Sequence, residues 1–218
     1  MAGGAMNKAL FSFVLPLLTL LGGCNMGTGG NAATETDSQR GALSGARIGG
    51  SFTLTDQDGK SVRWEDFKGR YRLIYFGYSY CPDVCPVDLQ HIMQAFSRLE
   101  KAEPALAAKI QPIFISVDPD RDTPAVLKTY VAAFHPRLIG LTGTPEQIAK
   151  VAKDFVVLYN REEAGGSSEY LVSHSRTPYL FDPDGAPVAL IPVDDPGSPD
   201  TDEGTPEAVY ASLLKWVK

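Results

Sequence analysis

Cysteine and histidine are both scarce in this chain, with three of each among 218 residues. Three cysteines cannot build the multi-bridge framework of a small secreted scaffold, and they fall short of the sulfur an iron–sulfur cluster needs. Positive charge is also in short supply: 20 Lys and Arg stand against 26 Asp and Glu, for a formal net charge of -6. The basic residues are scattered, so no face suits a polyphosphate backbone, which argues against nucleic acid as a partner. A helix needs roughly 20 apolar residues to cross a bilayer, and the 13-residue stretch from Ala9 to Leu21 is too short. There is no internal repeat, and no Pro-xxx-Thr-xx-Cys arrangement that would set a lone peroxidatic thiol.

What is present divides the chain into three parts. Lys8, the apolar stretch behind it and Leu21-Gly22-Gly23-Cys24 read as an export signal over residues 1–23. Small residues before a cysteine resemble the lipobox of bacterial lipoproteins. Cys24 is then expected to become the lipidated N-terminus of the mature protein, the alternative being ordinary cleavage that leaves a free thiol in the tail. Residues 24–50 are rich in Gly, Ala, Thr and Ser and poor in large apolar side chains, so a flexible tether is expected there. Residues 51–218 form the folded domain; the chain is 44% hydrophobic and 21% charged, enough for one sizeable core.

Within the domain, "SFTLTDQDGKSV" alternates around Asp58-Gly59 as a β-hairpin does. "YRLIYFGY" (71–78) is nearly continuous in apolar residues and predicts a central strand covered on both faces. Leu89, Ile92, Met93, Phe96 and Leu99 recur at helical spacing, which marks an amphipathic helix beginning near Pro86. "IQPIFISV" (110–117) predicts the next strand. Thr123-Pro124, Thr144-Pro145 and Thr205-Pro206 each put a capping residue before a first-turn proline, with Gln147 completing a capping box. "YLFDP" and "VALIP" predict two further strands about the Asp184-Gly185 turn. Strands alternating with helices and a closing hairpin argue an α/β fold around a mixed central sheet. From Pro187 to Ser212 six acidic residues occur without Lys or Arg, a solvated loop or a docking element for a basic partner.

With Cys24 committed to a lipid, Cys81 and Cys85 in "YSYCPDVCP" are the remaining pair in an oxidising compartment. A strand end feeding a helix N-terminus favours thiolate over thiol at both. Residues four apart can close a disulfide or grip one ion, and spacing alone leaves both open. Two thiolates are soft donors; structural zinc wants four protein ligands, whereas Cu(I) is served by two thiolates and an imidazole. His91 is expected beside the apolar stripe facing solvent, and His135 in "FHPR" near carbonyls at a helix end. His174, in a polar loop before a strand, is the remaining candidate ligand; otherwise it is a loop histidine bonded to Ser173 or Ser175.

Four blocks, "YFGYSYCPDVCPVDL", "FISVDPDRDTP", "FHPRLIGLTGT" and "YLVSHSRTPYLFDPDG", resemble in order and spacing the motifs of the Sco/SenC family of copper-handling proteins that serve cytochrome c oxidase assembly. The resemblance covers roughly residues 48–192. It implies a thioredoxin-like fold with an N-terminal β-hairpin and an inserted hairpin, and a copper site made by Cys81, Cys85 and His174. It also implies a lipid-anchored domain on the periplasmic side of a bacterial inner membrane. Its expected partners are a copper donor protein and the copper-centre subunit of cytochrome c oxidase. "DPDRDT", Asp118 to Thr123, would be a hallmark near the site; read from the residues it is a turn with an acidic cap, where Arg121 can pair with a neighbouring carboxylate. Asp83 either tunes the site or is only a turn residue. Thr177-Pro178 departs from the branched apolar residues usual there and resembles the proline turn facing the dithiol of thioredoxins; its plainer reading is a loop proline before a strand. Two activities remain open: a copper metallochaperone, and a thiol-disulfide reductase in which Cys81 and Cys85 are the redox pair that keeps the acceptor's cysteines reduced. A merely structural Cys81–Cys85 bridge is a third reading, weakened because so short a loop gains little from closure.

Overall fold

A computed structural model describes residues 41–163, 170–194 and 203–218. The expected signal segment and Cys24 lie outside the described residues. Strands β1 (Thr53–Asp56) and β2 (Ser61–Arg63) form the hairpin read from the Asp58-Gly59 turn, with Leu54 opposite Val62. Asp56 Oδ1 closes that turn by accepting the amides of Asp58 and Lys60, each at 2.9 Å. A 3₁₀ turn at Trp64–Phe67 leads into β3 (Tyr71–Gly77), buried along its whole length.

Helix α1 (Val84–Ala102) and the short α2 (Pro104–Ala107) carry the chain to β4 (Ile110–Ser116), and α3 (Pro124–Ala132) carries it to β5 (Ile139–Thr142). Then come α4 (Pro145–Asp154), β6 (Tyr159–Glu163), β7 (Tyr170–His174), β8 (Tyr179–Phe181), β9 (Pro187–Leu190) and α5 (Pro206–Trp216). The three expected Thr-Pro caps all form: Thr123, Thr144 and Thr205 accept the amides of Val126, Gln147 and Ala208 at 3.4, 3.3 and 3.1 Å.

Seven strands make one mixed sheet in the order β2-β1-β5-β4-β3-β8-β9. β3, β4 and β5 run parallel, joined by helical crossovers, while β1 and β8 pair antiparallel to β5 and β3. β6 and β7 form a separate two-stranded sheet, the inserted hairpin. Leu89, Ile92, Met93, Phe96 and Leu99, the stripe read from spacing, are all buried. Trp64 anchors an aromatic cluster, meeting Phe52, Phe155 and Phe181 edge-on at 5.6, 5.7 and 5.3 Å.

The expected tether does not extend to residue 50. From residue 41 the chain lies on the domain: the Leu43 amide donates to the Val188 carbonyl at 3.1 Å, and the Gly49 amide to that of Asp154 at 2.8 Å. Leu43 and Ile48, the two large apolar residues of this stretch, pack on the core. Gly49 makes the close approach possible: its φ is +93°, and a Cβ there would come within 2.7 Å of the Phe181 ring. Two well-placed side chains outweigh a composition that reads as linker.

Candidate metal centre

β3 ends at Gly77, in the middle of the sheet, and the chain turns at once toward α1. The turn is held from below by Asp122, which accepts the Ser79 amide at 3.0 Å, the Ser116 hydroxyl at 2.5 Å and the Ser79 hydroxyl. Cys81 lies in this turn, half-buried; Cys85 is buried in the first turn of α1. The helix starts at Val84, two residues earlier than the proline suggested, so Cys85 sits inside the positive end of its dipole. Gly77 gives Cys85 its room. A Cβ on Gly77 would lie 3.3 Å from Cys85 Sγ and 3.0 and 3.1 Å from the rings of Phe114 and Tyr75.

His174 is the last residue of β7 rather than part of a loop. Its Nε2 lies 2.9 Å from Cys85 Sγ, and the ligand atoms of Cys81, Cys85 and His174 all fall within 4.8 Å of one another. Among the described residues this is the one cluster of three or more metal-ligating side chains. His174 Nδ1 is 2.9 Å from the Ser175 carbonyl, which can only accept. Nδ1 therefore carries the hydrogen, and the Nε2 lone pair faces the sulfurs, the arrangement metal-binding imidazoles adopt. Tyr75 and Tyr78 stand edge-on to the imidazole at 6.3 and 6.0 Å.

The two thiols are unequal. Cys81 is pulled down to about 3, first by the hydrogen bond from Cys85 and further by the amides of Asp83 and Cys85, against the cost of its partial burial. Cys85 is pushed up, first by the hydrogen bond its thiol donates to Cys81 and then by burial. The metal-free dithiol is thus a thiolate at Cys81 beside a thiol at Cys85, whose single proton faces two acceptors. Two sulfurs and an imidazole nitrogen, one side open at Cys81, match a soft ion bound with fewer ligands than structural zinc takes.

The other expected residues take supporting places. Asp118 is buried away from the sulfurs; it pairs with Arg121 Nε at 2.5 Å and accepts the Tyr170 hydroxyl at 2.6 Å, which anchors the start of β7. Asp83 is exposed, and its side chain caps nothing at the head of α1. Pro178 is buried just before β8, its carbonyl accepting the Ile191 amide at 2.9 Å. His91 binds the Gly204 carbonyl at 3.1 Å through Nδ1, and His135 binds Glu100 at 2.9 Å, so neither reaches the sulfurs. Asp88 and Arg176 carry no signal in the sequence. Asp88 lies next to Leu89 on the buried side of α1, a carboxylate that must have a cation for company, but that cation comes 88 residues later.

The family model described as SCO1/SenC matches residues 40–203. The chain belongs to the SCO1/SenC family. A SCO1/SenC relative from Bos taurus, "Protein SCO2 homolog, mitochondrial", is 43% identical over 177 residues, covering 78% of this chain and 65% of that protein. The chain spans about half to two thirds of the length of several curated relatives it matches. Several of these relatives are mitochondrial by name, and one is from Rickettsia felis. Among solved structures, "Structure of Bradyrhizobium japonicum ScoI with copper bound" matches with a TM-score of 0.66 and 40% identity, over 78% of this chain and 99% of that one. The thioredoxin domain of a Bacteroides vulgatus thiol-disulfide oxidoreductase matches at 17% identity with a TM-score of 0.51, over 78% of this chain and 96% of that one, a likeness of fold. SCO1/SenC membership and these neighbours make the fold thioredoxin-like, as its motifs implied.

Proposed function

We propose that this protein is a copper metallochaperone that loads the copper centre of cytochrome c oxidase, with Cys81, Cys85 and His174 as its ligands. The observation that carries the reading is the convergence of two sulfurs and a lone-pair-bearing imidazole nitrogen within 4.8 Å. Copper is cargo here, and the donor set suits cargo. Cu(I) with two thiolates keeps a net charge of about -1, and the thiolate at the half-buried Cys81 offers an incoming sulfur ligand an open side. Handover by ligand exchange then requires no bond to carbon to be made or broken. The donor is a copper-carrying protein and the acceptor is the subunit that houses the oxidase copper centre.

The domain works on the outer side of a membrane, held by the lipid expected on Cys24. The support for this is the export-signal pattern ending at Leu21-Gly22-Gly23-Cys24. No helix among the described residues is long and apolar enough to cross a membrane.

The test adds Cu(I), and in a parallel series Cu(II), to the reduced chain and measures bound metal. The parent holds one copper per chain, Cys81→Ser and Cys85→Ser hold none after a chelator wash, and His174→Ala loses Cu(II) binding most. Equal copper retention in His174→Ala and parent would remove His174 from the ligand set.

One observation favours a second activity on the same pair. A thiolate at Cys81 beside a protonated Cys85 is the arrangement of an attacking and a resolving thiol. In this reading Cys81 attacks a disulfide of the acceptor, Cys85 releases the mixed disulfide, and the acceptor's two sulfurs leave reduced while Cys81 and Cys85 become oxidised. The two activities separate at His174, which copper binding needs and dithiol exchange does not.

A further inference from the structure

The three proposed ligands arrive on two separately built pieces. Cys81 and Cys85 follow β3 of the seven-stranded sheet, whereas His174 ends β7 of a two-stranded sheet that pairs with no strand of the larger one. Main-sheet hydrogen bonds therefore leave the imidazole free relative to the sulfurs. The far end of β7 is tied down, since Arg121 donates to the Tyr170 carbonyl at 2.9 Å and the Tyr170 hydroxyl donates to Asp118 at 2.6 Å. But Tyr170 is four residues from His174, roughly 13 Å along an extended strand. The Val172 amide reaches the Tyr78 hydroxyl at 3.3 Å, but one long bond two residues away does not orient the ring, and a contact nearer to it must hold the histidine end.

Asp88 and Arg176 do so. Asp88 is three residues beyond Cys85 on α1 and Arg176 two residues beyond His174, so the pair joins the two pieces beside their ligands. Arg176 Nε donates to Oδ2 at 3.0 Å and its terminal nitrogen to Oδ1 at 2.7 Å, a two-point grip on a carboxylate whose side chain is 2% exposed. Two-point pairing fixes orientation as well as distance. Tyr75 completes the contact: its hydroxyl donates to Asp88 Oδ2 at 2.8 Å while the edge of its ring system meets His174. A buried ion pair gives little net stability over an apolar pair of similar volume. Stability alone does not explain this one.

We propose that Asp88 and Arg176 are positioning residues, a buried latch between α1 and the segment after β7 that holds His174 Nε2 within ligating reach of Cys85. The proposal rests on the copper reading above for its metal-binding consequence and on geometry alone for the placement of the imidazole. Removing the latch leaves both sulfurs where they are and lets the imidazole wander, so Cu(II), which depends more on the nitrogen donor than Cu(I) does, suffers most.

The experiment uses the full-length chain. Asp88→Leu/Arg176→Met removes both charges together and leaves no orphan; Arg176→Lys keeps the charge and loses the fork. These are compared with His174→Ala and with the triple variant, reading Cu(II) affinity by chelator competition and, in the metal-free protein, the nitrogen NMR shifts of His174. The latch variant should bind Cu(II) about 10–100-fold more weakly, in line with other residues that orient ligands, and Arg176→Lys should fall between it and the parent. The triple variant should bind no more weakly than His174→Ala, because the latch acts only through that ring. The Nδ1–H tautomer that the Ser175 carbonyl favours in the parent should become an average of two. Additive losses in the triple variant, or parent-like affinity and tautomer in the latch variants, would overturn the proposal. A parent that takes up no copper would overturn the copper reading instead; an averaged His174 spectrum in the latch variants would then still establish the latch, and an unchanged one would refute it.

Discussion

Carbamidomethylation of the reduced, metal-free protein across pH tests the asymmetry of the dithiol directly. An ordinary thiol near 8.5 is about 0.03% thiolate at pH 5 and about 3% at pH 7. Cys81, held at about 3, is essentially all thiolate at both. Its sign follows from the direction of the shift: a lowered value keeps the anion present until the pH falls toward 3, so reactivity is constant above about pH 4.5 and declines only below it. Low basicity also weakens a nucleophile. With a Brønsted slope of about 0.4–0.5, a thiolate this weakly basic loses a few hundred-fold in intrinsic rate. Against the roughly 3,000-fold larger thiolate fraction at pH 5, Cys81 should react about tenfold faster than free glutathione there and about tenfold slower at pH 7. A pulse of iodoacetamide followed by peptide mass spectrometry reads Cys81 separately from the buried Cys85, which should stay unlabelled. A Cys81 rate that rises tenfold per unit between pH 5 and 8 would refute the reasoning.

Gly77→Ala places a methyl 3.0–3.3 Å from Phe114, Tyr75 and Cys85 Sγ; overpacking of this kind costs about 1–3 kcal/mol, and calorimetry should show a midpoint lowered by about 3–8 °C. A parent-like midpoint would mean that the space beside Cys85 is not confined. Val156→Gly acts in the opposite direction. Val156 is the left-handed residue after α4 (φ 57°), its amide and that of Val157 closing the helix end on Lys153 and Ala152, and its side chain is 59% exposed. Relieving a β-branched residue of that conformation, less the extra freedom glycine gives the unfolded chain, should stabilise by about 0.5–1 kcal/mol, a midpoint rise of about 2 °C. A lowered midpoint would contradict it.

The parts of the fold that depend on neighbours in sequence were readable from it. β3 announced itself as an apolar run, α1 as a stripe from Leu89 to Leu99, and three helix starts as Thr-Pro pairs whose capping bonds are all present. The dithiol's place at a strand-to-helix junction followed from the same signals. The rest depends on distant partners. Nothing near His174 distinguishes it from a loop histidine, and its selection came from the resemblance of four blocks to a family, not from periodicity. The β6–β7 hairpin that carries it mixes charged and apolar residues without alternation. Leu43 and Ile48 were too few to read as domain, yet a positive-φ glycine lets that segment lie flat on Phe181. Asp88 and Arg176 were invisible because each looks like an ordinary surface charge until the chain brings them together.

The most direct test of the central claim is copper-edge X-ray absorption on the Cu(I)-loaded chain, with His174→Ala alongside. The account predicts a first shell of two sulfurs and one nitrogen in the parent, and loss of the nitrogen alone in the variant. A parent shell containing only sulfur, or one identical in the two proteins, would contradict it.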